Sequence, residues 1–288
     1  MSLDRLVRDD VERVTGARIR DTNAVGGGCI SPAYRVTCTD GSRLFLKTAP
    51  EGGPGDMLVQ EAAALRRMER TGTVRVPLVL GVTPMWLALE WLEPAHATTQ
   101  AWAELGRSLA RLHRSAGQAG QYGWDSANSI GPLPQANEWM SDWPAFWAEQ
   151  RLKPQLRLAQ SRLDTRMLAQ FERLFDMMGD RLGPAASDGP SLLHGDLWNG
   201  NVHFTQHGGA LIDPSSYYGH REVDLAMAAL FGGFPAAFHD AYSAEWPLLD
   251  GADERRPIYQ LYYLLVHVNV FGSGYIEQTR RVLDVAAG

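Results

Sequence analysis

Two short apolar segments constrain this chain more than any other feature. The stretch LLHGDLWNGNVHF, Leu192 to Phe204, runs from apolar residues straight into a His, an Asp and two Asn; ALIDP, Ala210 to Pro214, ends a second apolar segment on another Asp. Both segments read as β-strands, and QHGG between them is turn chemistry. Paired as a hairpin, they gather Asp196, Asn201 and Asp213 at the open end. Two carboxylates and an amide oxygen suit Mg2+, a hard ion that takes one or two carboxylates together with substrate phosphates. The same spacing serves phosphoryl transfer, in which the first Asp accepts the proton of the attacking hydroxyl while the Asn and the later Asp hold metal. Asp and Asn more often do no more than cap strands and turns, so the rest of the chain has to supply what such chemistry needs.

Phosphates need a cation. Of 27 basic residues only Lys47 and Lys153 are lysines, and a guanidinium does not replace a compact ammonium. Lys47 lies in LFLKTA, where strand alternation points it away from the neighbours of Phe45 and toward a cleft. Glu61, in the helical stretch MLVQEAAALRRMERTG, is its expected partner, the pairing of strand lysine and helix glutamate that kinases use. In VGGGCISPAYRV, Gly26, Gly27 and Gly28 would let backbone amides approach phosphates closely. No strict G-x-G-x-x-G is present, and a plain hairpin turn is the alternative. In LALEWLE, main-chain groups from Glu90 to Leu92 occupy the place of a hinge that would meet an adenine edge.

From Ala17 to Leu92 the pattern gives three strands, a helix that stops at Gly72, and two more strands, with a hairpin at Asp40-Gly41. Beyond Pro94 helices dominate, interrupted only by the two segments quoted first. The expected architecture is α+β and bilobal: a small antiparallel β-sheet lobe with one helix (1–92) and a larger, mostly α-helical lobe (93–288). The N-terminus mixes charges and reads as an amphipathic surface helix rather than a signal peptide. LYYLLVHVNVFG is too short for a membrane span and reads as a buried helix.

With 45% hydrophobic and 21% charged residues and a net charge of −6, the chain reads as a globular protein with no nucleic-acid or membrane partner. Cys29 and Cys38 provide neither a disulfide framework nor a zinc spacing, which favours a cytoplasmic location.

Taken together, GGGCISPAYRV, LFLKTA, VPLVLGV, LALEWLE, HGDLWNGN and DPSSYYGHREVDLAM resemble the fructosamine (ketosamine) kinase family, within the aminoglycoside-phosphotransferase-like kinases. The resemblance covers nearly the whole chain and implies a protein-kinase-like fold with ATP and Mg2+ as cofactors. It implies phosphorylation of the 3-hydroxyl of a ketosamine, a sugar-amine that is either a small molecule or a glycated protein lysine. The product then decomposes and reverses glycation. It further implies Asp196 as the base, Asn201 and Asp213 as metal ligands, and Lys47 with Glu61 on the α and β phosphates. Trp198 either stacks on the sugar or packs between lobes. His220, Arg221 and Glu222 lie on the substrate side or support it, and Asp224 fixes the catalytic loop. Pro214 in place of Phe-Gly, HGD in place of HRD and a short following segment depart from protein kinases and argue against control by activation-loop phosphorylation. A kinase for an aminoglycoside, choline or homoserine is the alternative, with nine acidic against four basic residues after Arg221 as the feature favouring a polycation; a silent nucleotide-binding module is a further one. A monomer or weak dimer is expected.

Overall fold

The structure is a computed structural model that describes residues 3–26, 31–50, 52, 55–115 and 120–288. Helix α1 (Arg5–Thr15) begins at Asp4, whose carboxylate accepts the Leu6 amide at 2.7 Å, and ends at Gly16, where φ is +72°. Strands β1 (Ile19–Val25), β2 (Ala33–Cys38) and β3 (Arg43–Thr48) follow, then α2 (Met57–Thr71), β4 (Val79–Thr83) and β5 (Trp86–Glu90). They form one antiparallel sheet in the order β1-β2-β3-β5-β4. The Asp40-Gly41 turn joins β2 to β3, with Gly41 at φ +86° and Asp40 accepting the Ser42 amide at 2.9 Å.

Alternation gives the sheet two packed faces. On β3 and β5, Leu44, Leu46, Trp86 and Ala88 join Val11 of α1 in one core, while Leu87 and Leu89 face Leu58, Ala62, Leu65 and Met68 of α2 in the other. Two helices, not one, therefore cover this sheet.

The remainder is helical. α3 (Thr99–Arg114) is capped by Thr98 and packs on α9 (Ala236–Glu245). A small hairpin, β6 (Asn128–Ile130) and β7 (Leu133–Gln135), precedes α4 (Trp143–Phe146), a π-turn over Trp147–Leu152, α5 (Lys153–Ala159), α6 (Thr165–Asp176) and α7 (Met178–Leu182). The chain then returns through β8 (Ser191–Leu192), β9 (Val202–Thr205), β10 (Gly208–Leu211) and β11 (Tyr218–Gly219) before α8 (Glu222–Leu230), α9, α10 (Ala252–Phe271) and α11 (Ile276–Ala286). α10 is the apolar run of the sequence; Tyr259, Leu261, Tyr262, Tyr263, Leu264 and Leu265 on it are buried on all sides, as a helix without a polar face must be. Among the described residues no helix is long and apolar enough to cross a membrane.

Candidate active site

β9 and β10 pair as the sequence predicts, Val202 opposite Leu211 and Thr205 opposite Gly208, so the tight turn is Gln206-His207. The open end of this hairpin meets the sheet at Lys47. Lys47 is buried and its Nζ lies 2.8 Å from Glu61 Oε1 and 2.6 Å from Asp213 Oδ1. Burial alone would push its pKa down; the two carboxylates reverse that and hold it above the usual lysine range. Glu61 moves up from its ordinary value, chiefly through burial, with Lys47 opposing.

Asn201 donates its amide to Asp196 O at 2.8 Å and Asp196 Oδ2 at 3.2 Å, and lies 3.5 Å from Asp213 O. This use of the nitrogen leaves the Asn201 oxygen for a cation. Asp213 is the single non-glycine residue with positive φ among the described residues, at +55°, a conformation that Asp tolerates better than most residues and that concentrates at functional sites. With Asp213 partly open to solvent, the donors present fit a hard divalent ion. Burial pushes the half-buried Asp196 carboxyl up to about 7, with Asn201 pulling it back and the charges of Asp213 and Asp224 adding to the rise.

The backbone of this loop is held from behind. Asp224 accepts the amides of His194 (2.7 Å) and Gly195 (2.9 Å), Tyr263 Oη donates to Gly195 O at 2.8 Å, and His194 Nε2 meets Ile212 O at 2.8 Å. Gly195 has φ +83°, and a Cβ there would sit 2.1 Å from Ser215 O. No residue with a side chain fits, which explains HGD physically. Gly200 is constrained too: a Cβ there would lie 2.2 Å from the Trp198 ring, so Trp198 folds over its own loop and packs against the core.

Other expectations fare differently. Gly26 closes β1, whereas Gly27, Gly28 and Cys29 lie outside the described residues. At the hinge, the Glu90 amide donates to Leu78 O at 2.9 Å, its carboxylate takes Arg75 and the Leu78 amide, and Leu92 O accepts from His203 Nε2 at 3.0 Å. The Glu90 amide is therefore engaged within the sheet, which leaves the other main-chain groups of Glu90 to Leu92 as the ones that could meet an adenine edge; a groove lined by Pro94, His96, Trp102, Asn199, Val202 and His203 opens beside them. Of the two expectations for His220, Arg221 and Glu222, substrate contact or support, their burial favours support. All three are buried: His220 faces Asp188 at 3.4 Å, Arg221 binds Asp188 and the carbonyls of Trp246 and Pro247, and Glu222 forms a two-pronged pair with Arg255 at 2.8 and 2.6 Å. An arginine so enclosed cannot reach a substrate.

His113 escaped sequence reading. On the buried face of α3, its Nε2 lies 3.1 Å from Asp224 Oδ2 and its Nδ1 2.8 Å from Tyr242 Oη. Nothing in ARLHRS separates it from an ordinary core histidine.

This fold and site define a protein-kinase-like phosphotransferase. More particularly, the chain belongs to the fructosamine kinase family, which matches residues 4–287, and is an enzyme that phosphorylates a hydroxyl. It is 38% identical over 286 residues to a probable ketoamine kinase of Synechocystis, covering 96% of this chain and 94% of that one. Over 285 residues it is 34% identical to the ketosamine-3-kinase of Mus musculus, covering 89% and 92%. The crystal structure of a candidate fructosamine-3-kinase from Thermobifida fusca superposes with a TM-score of 0.89 at 36% identity, over 97% of this chain and 98% of that one. An ADP-bound aminoglycoside phosphotransferase shares the fold alone, at 14% identity and TM-score 0.62, over 99% and 98%.

Proposed function

We propose that the chain transfers the γ-phosphoryl group of ATP to the 3-hydroxyl of a ketosamine, a fructosamine or ribulosamine carried by a small amine or a protein lysine. The observation that carries this reading is the convergence of Asp196, Asn201, Asp213 and Lys47 in a member of this family. Asp196 accepts and orients the sugar hydroxyl. Lys47, held by Glu61, would engage the α and β phosphates. Asn201 and Asp213 would hold Mg2+, which supplies charge neutralisation between the phosphates. Catalysis then comes from positioning and fixed charge rather than covalent chemistry. Phosphate on C3, α to the C2 carbonyl, leaves as inorganic phosphate once the adduct enolises to its C1–C2 enaminol, and water then hydrolyses the resulting C1 imine, which releases the amine with a 3-deoxy-2-oxo sugar and reverses glycation.

The division into lobes after Leu92 gives the nucleotide its cleft. The reading places the enzyme in the cytoplasm as a monomer or weak dimer. Six of the nine acidic residues after Arg221 are engaged within the chain, which weakens the case for a polycationic acceptor. Glu222, Glu245, Asp253, Glu277 and Asp284 pair with arginines and Asp224 holds the loop.

The test is ATP consumption with Mg2+ and fructosyl-lysine, ribulosyl-lysine, an aminoglycoside or no acceptor, with phosphorus NMR on the product. Turnover on a ketosamine with phosphate on C3 is expected. Turnover confined to another alcohol would overturn the substrate, and none on any acceptor would overturn catalysis itself.

A further inference from the structure

Helix α2 carries Glu61, so whatever fixes α2 fixes the Lys47–Glu61 pair. Its buried residues Leu58, Ala62, Leu65 and Met68 set its distance from the sheet, but apolar contacts alone allow sliding and rotation. Polar contacts at two points remove that freedom. Gln60 Oε1 accepts from Ser126 Oγ at 3.0 Å. Arg67 donates to Tyr218 Oη at 3.1 Å and to Asp125 Oδ2 at 3.0 Å, with its guanidinium carbon 5.1 Å above the Trp124 ring. Gln60 and Arg67 are seven residues apart, so they share one face of α2 and are separated by about 10 Å along its axis. Two contacts so spaced determine both the rotation and the axial position of the helix.

The receiving side is tied to the catalytic loop. Tyr218 is buried, pairs with Leu192 just before His194-Gly195-Asp196, and exchanges two backbone hydrogen bonds with Gly123 at 2.9 and 2.8 Å. It also lies only five residues beyond Asp213. In protein kinases this stretch is where activation-loop phosphorylation, through arginine, brings the helix glutamate to the strand lysine.

The geometry points to Arg67 and Tyr218 as positioning residues for the phosphoryl-transfer site: a permanent pin in which a phenol, not a phosphate, receives an arginine and keeps Glu61 on Lys47. This deepens the kinase reading and rests on the nucleotide side of it, with no dependence on the acceptor. Neither residue touches a reacting atom.

The experiment uses Tyr218→Phe, which keeps the ring and its packing and removes only the hydroxyl, and Arg67→Met. Affinity for ATP with Mg2+, read by calorimetry, is expected to weaken roughly tenfold, as for loss of one hydrogen bond to a charged group. KM for ATP rises with it while KM for the acceptor is unchanged, and amide exchange within α2 quickens. In a Glu61→Gln background, where the ion pair is already gone, Tyr218→Phe produces no further loss. Wild-type nucleotide affinity in both variants, or losses that add fully to Glu61→Gln, would overturn the pin. Because calorimetry needs no acceptor, a mistaken acceptor assignment would leave this result standing, and the reverse also holds.

Discussion

Lys47 Nζ lies 2.6 Å from Asp213 Oδ1, a hydrogen bond between a strand of the sheet and the end of a hairpin 166 residues away in sequence. With Glu61 on its other side, this lysine bridges two carboxylates. Lys47→Met leaves a largely buried Glu61 facing a partly exposed Asp213, and breaking a pair so placed costs about 2 kcal/mol, less than for a fully buried one. The expected outcome is a fall in the thermal midpoint and a drop in kcat/KM of about 100-fold or more. Lys47→Arg gives no recovery, since the forked guanidinium does not fit a site built for a point charge. Calorimetric unfolding and steady-state kinetics check both.

Asp196 is the residue whose loss separates activity from stability. Burial holds its carboxyl up to about 7, so in the protein without nucleotide its charge is destabilising near neutral pH. Asp196→Asn abolishes turnover, retains ATP binding, and raises stability by about 2 kcal/mol at pH 8. The gain fades as the pH falls toward 4, because the carboxyl of the unfolded chain then becomes protonated as well and the two states bind the proton alike. Denaturant titrations at the two pH values decide this.

Gly195 tests the backbone explanation of HGD. Gly195→Ala drives a Cβ to 2.1 Å from Ser215 O at a positive φ, and the expected destabilisation is at least about 3 kcal/mol. Gly195→Arg, which would restore HRD, is expected to give little soluble protein. Soluble, active Gly195→Arg would show that the loop shifts easily.

Glu222 and Arg255 decide between substrate contact and internal support. Glu222→Gln is expected to lower stability by about 2 kcal/mol while leaving KM for the acceptor within about twofold of wild type. A large change in that KM with an unchanged thermal midpoint would return Glu222 to the substrate side.

Two buried histidines set an acid limit. Burial lowers the pKa of His113 and His194 from 6.5, against the raising influence of Asp224. Below that value the unfolded chain binds protons that the folded chain refuses, so stability is fully present above pH 6.5 and falls as pH drops. Each histidine removes up to about 1.4 kcal/mol per pH unit until its folded pKa is reached. His113→Gln is expected to flatten the curve between pH 6.5 and 5, measured by urea unfolding.

The sequence alone determined the elements and the residues that meet in the candidate site. Alternation in RLFLKT, helical spacing in MLVQEAAALRRMERT, the Asp40-Gly41 turn and the stop at Gly72 are local consequences of backbone geometry and side-chain period. Asp196, Asn201, Asp213, Lys47 and Glu61 were legible because their chemistry requires those residue types at those spacings. What supports them was not. His113, Arg67 and Tyr218 act through partners 111, 58 and 151 residues away, and no local pattern marks an arginine that will meet a tyrosine. The burial of His220, Arg221 and Glu222 was equally hidden, since charge in a sequence suggests solvent. Only the tertiary structure supplied Asp188 and Arg255 as partners, and with them the enclosure that turns apparent substrate groups into internal braces.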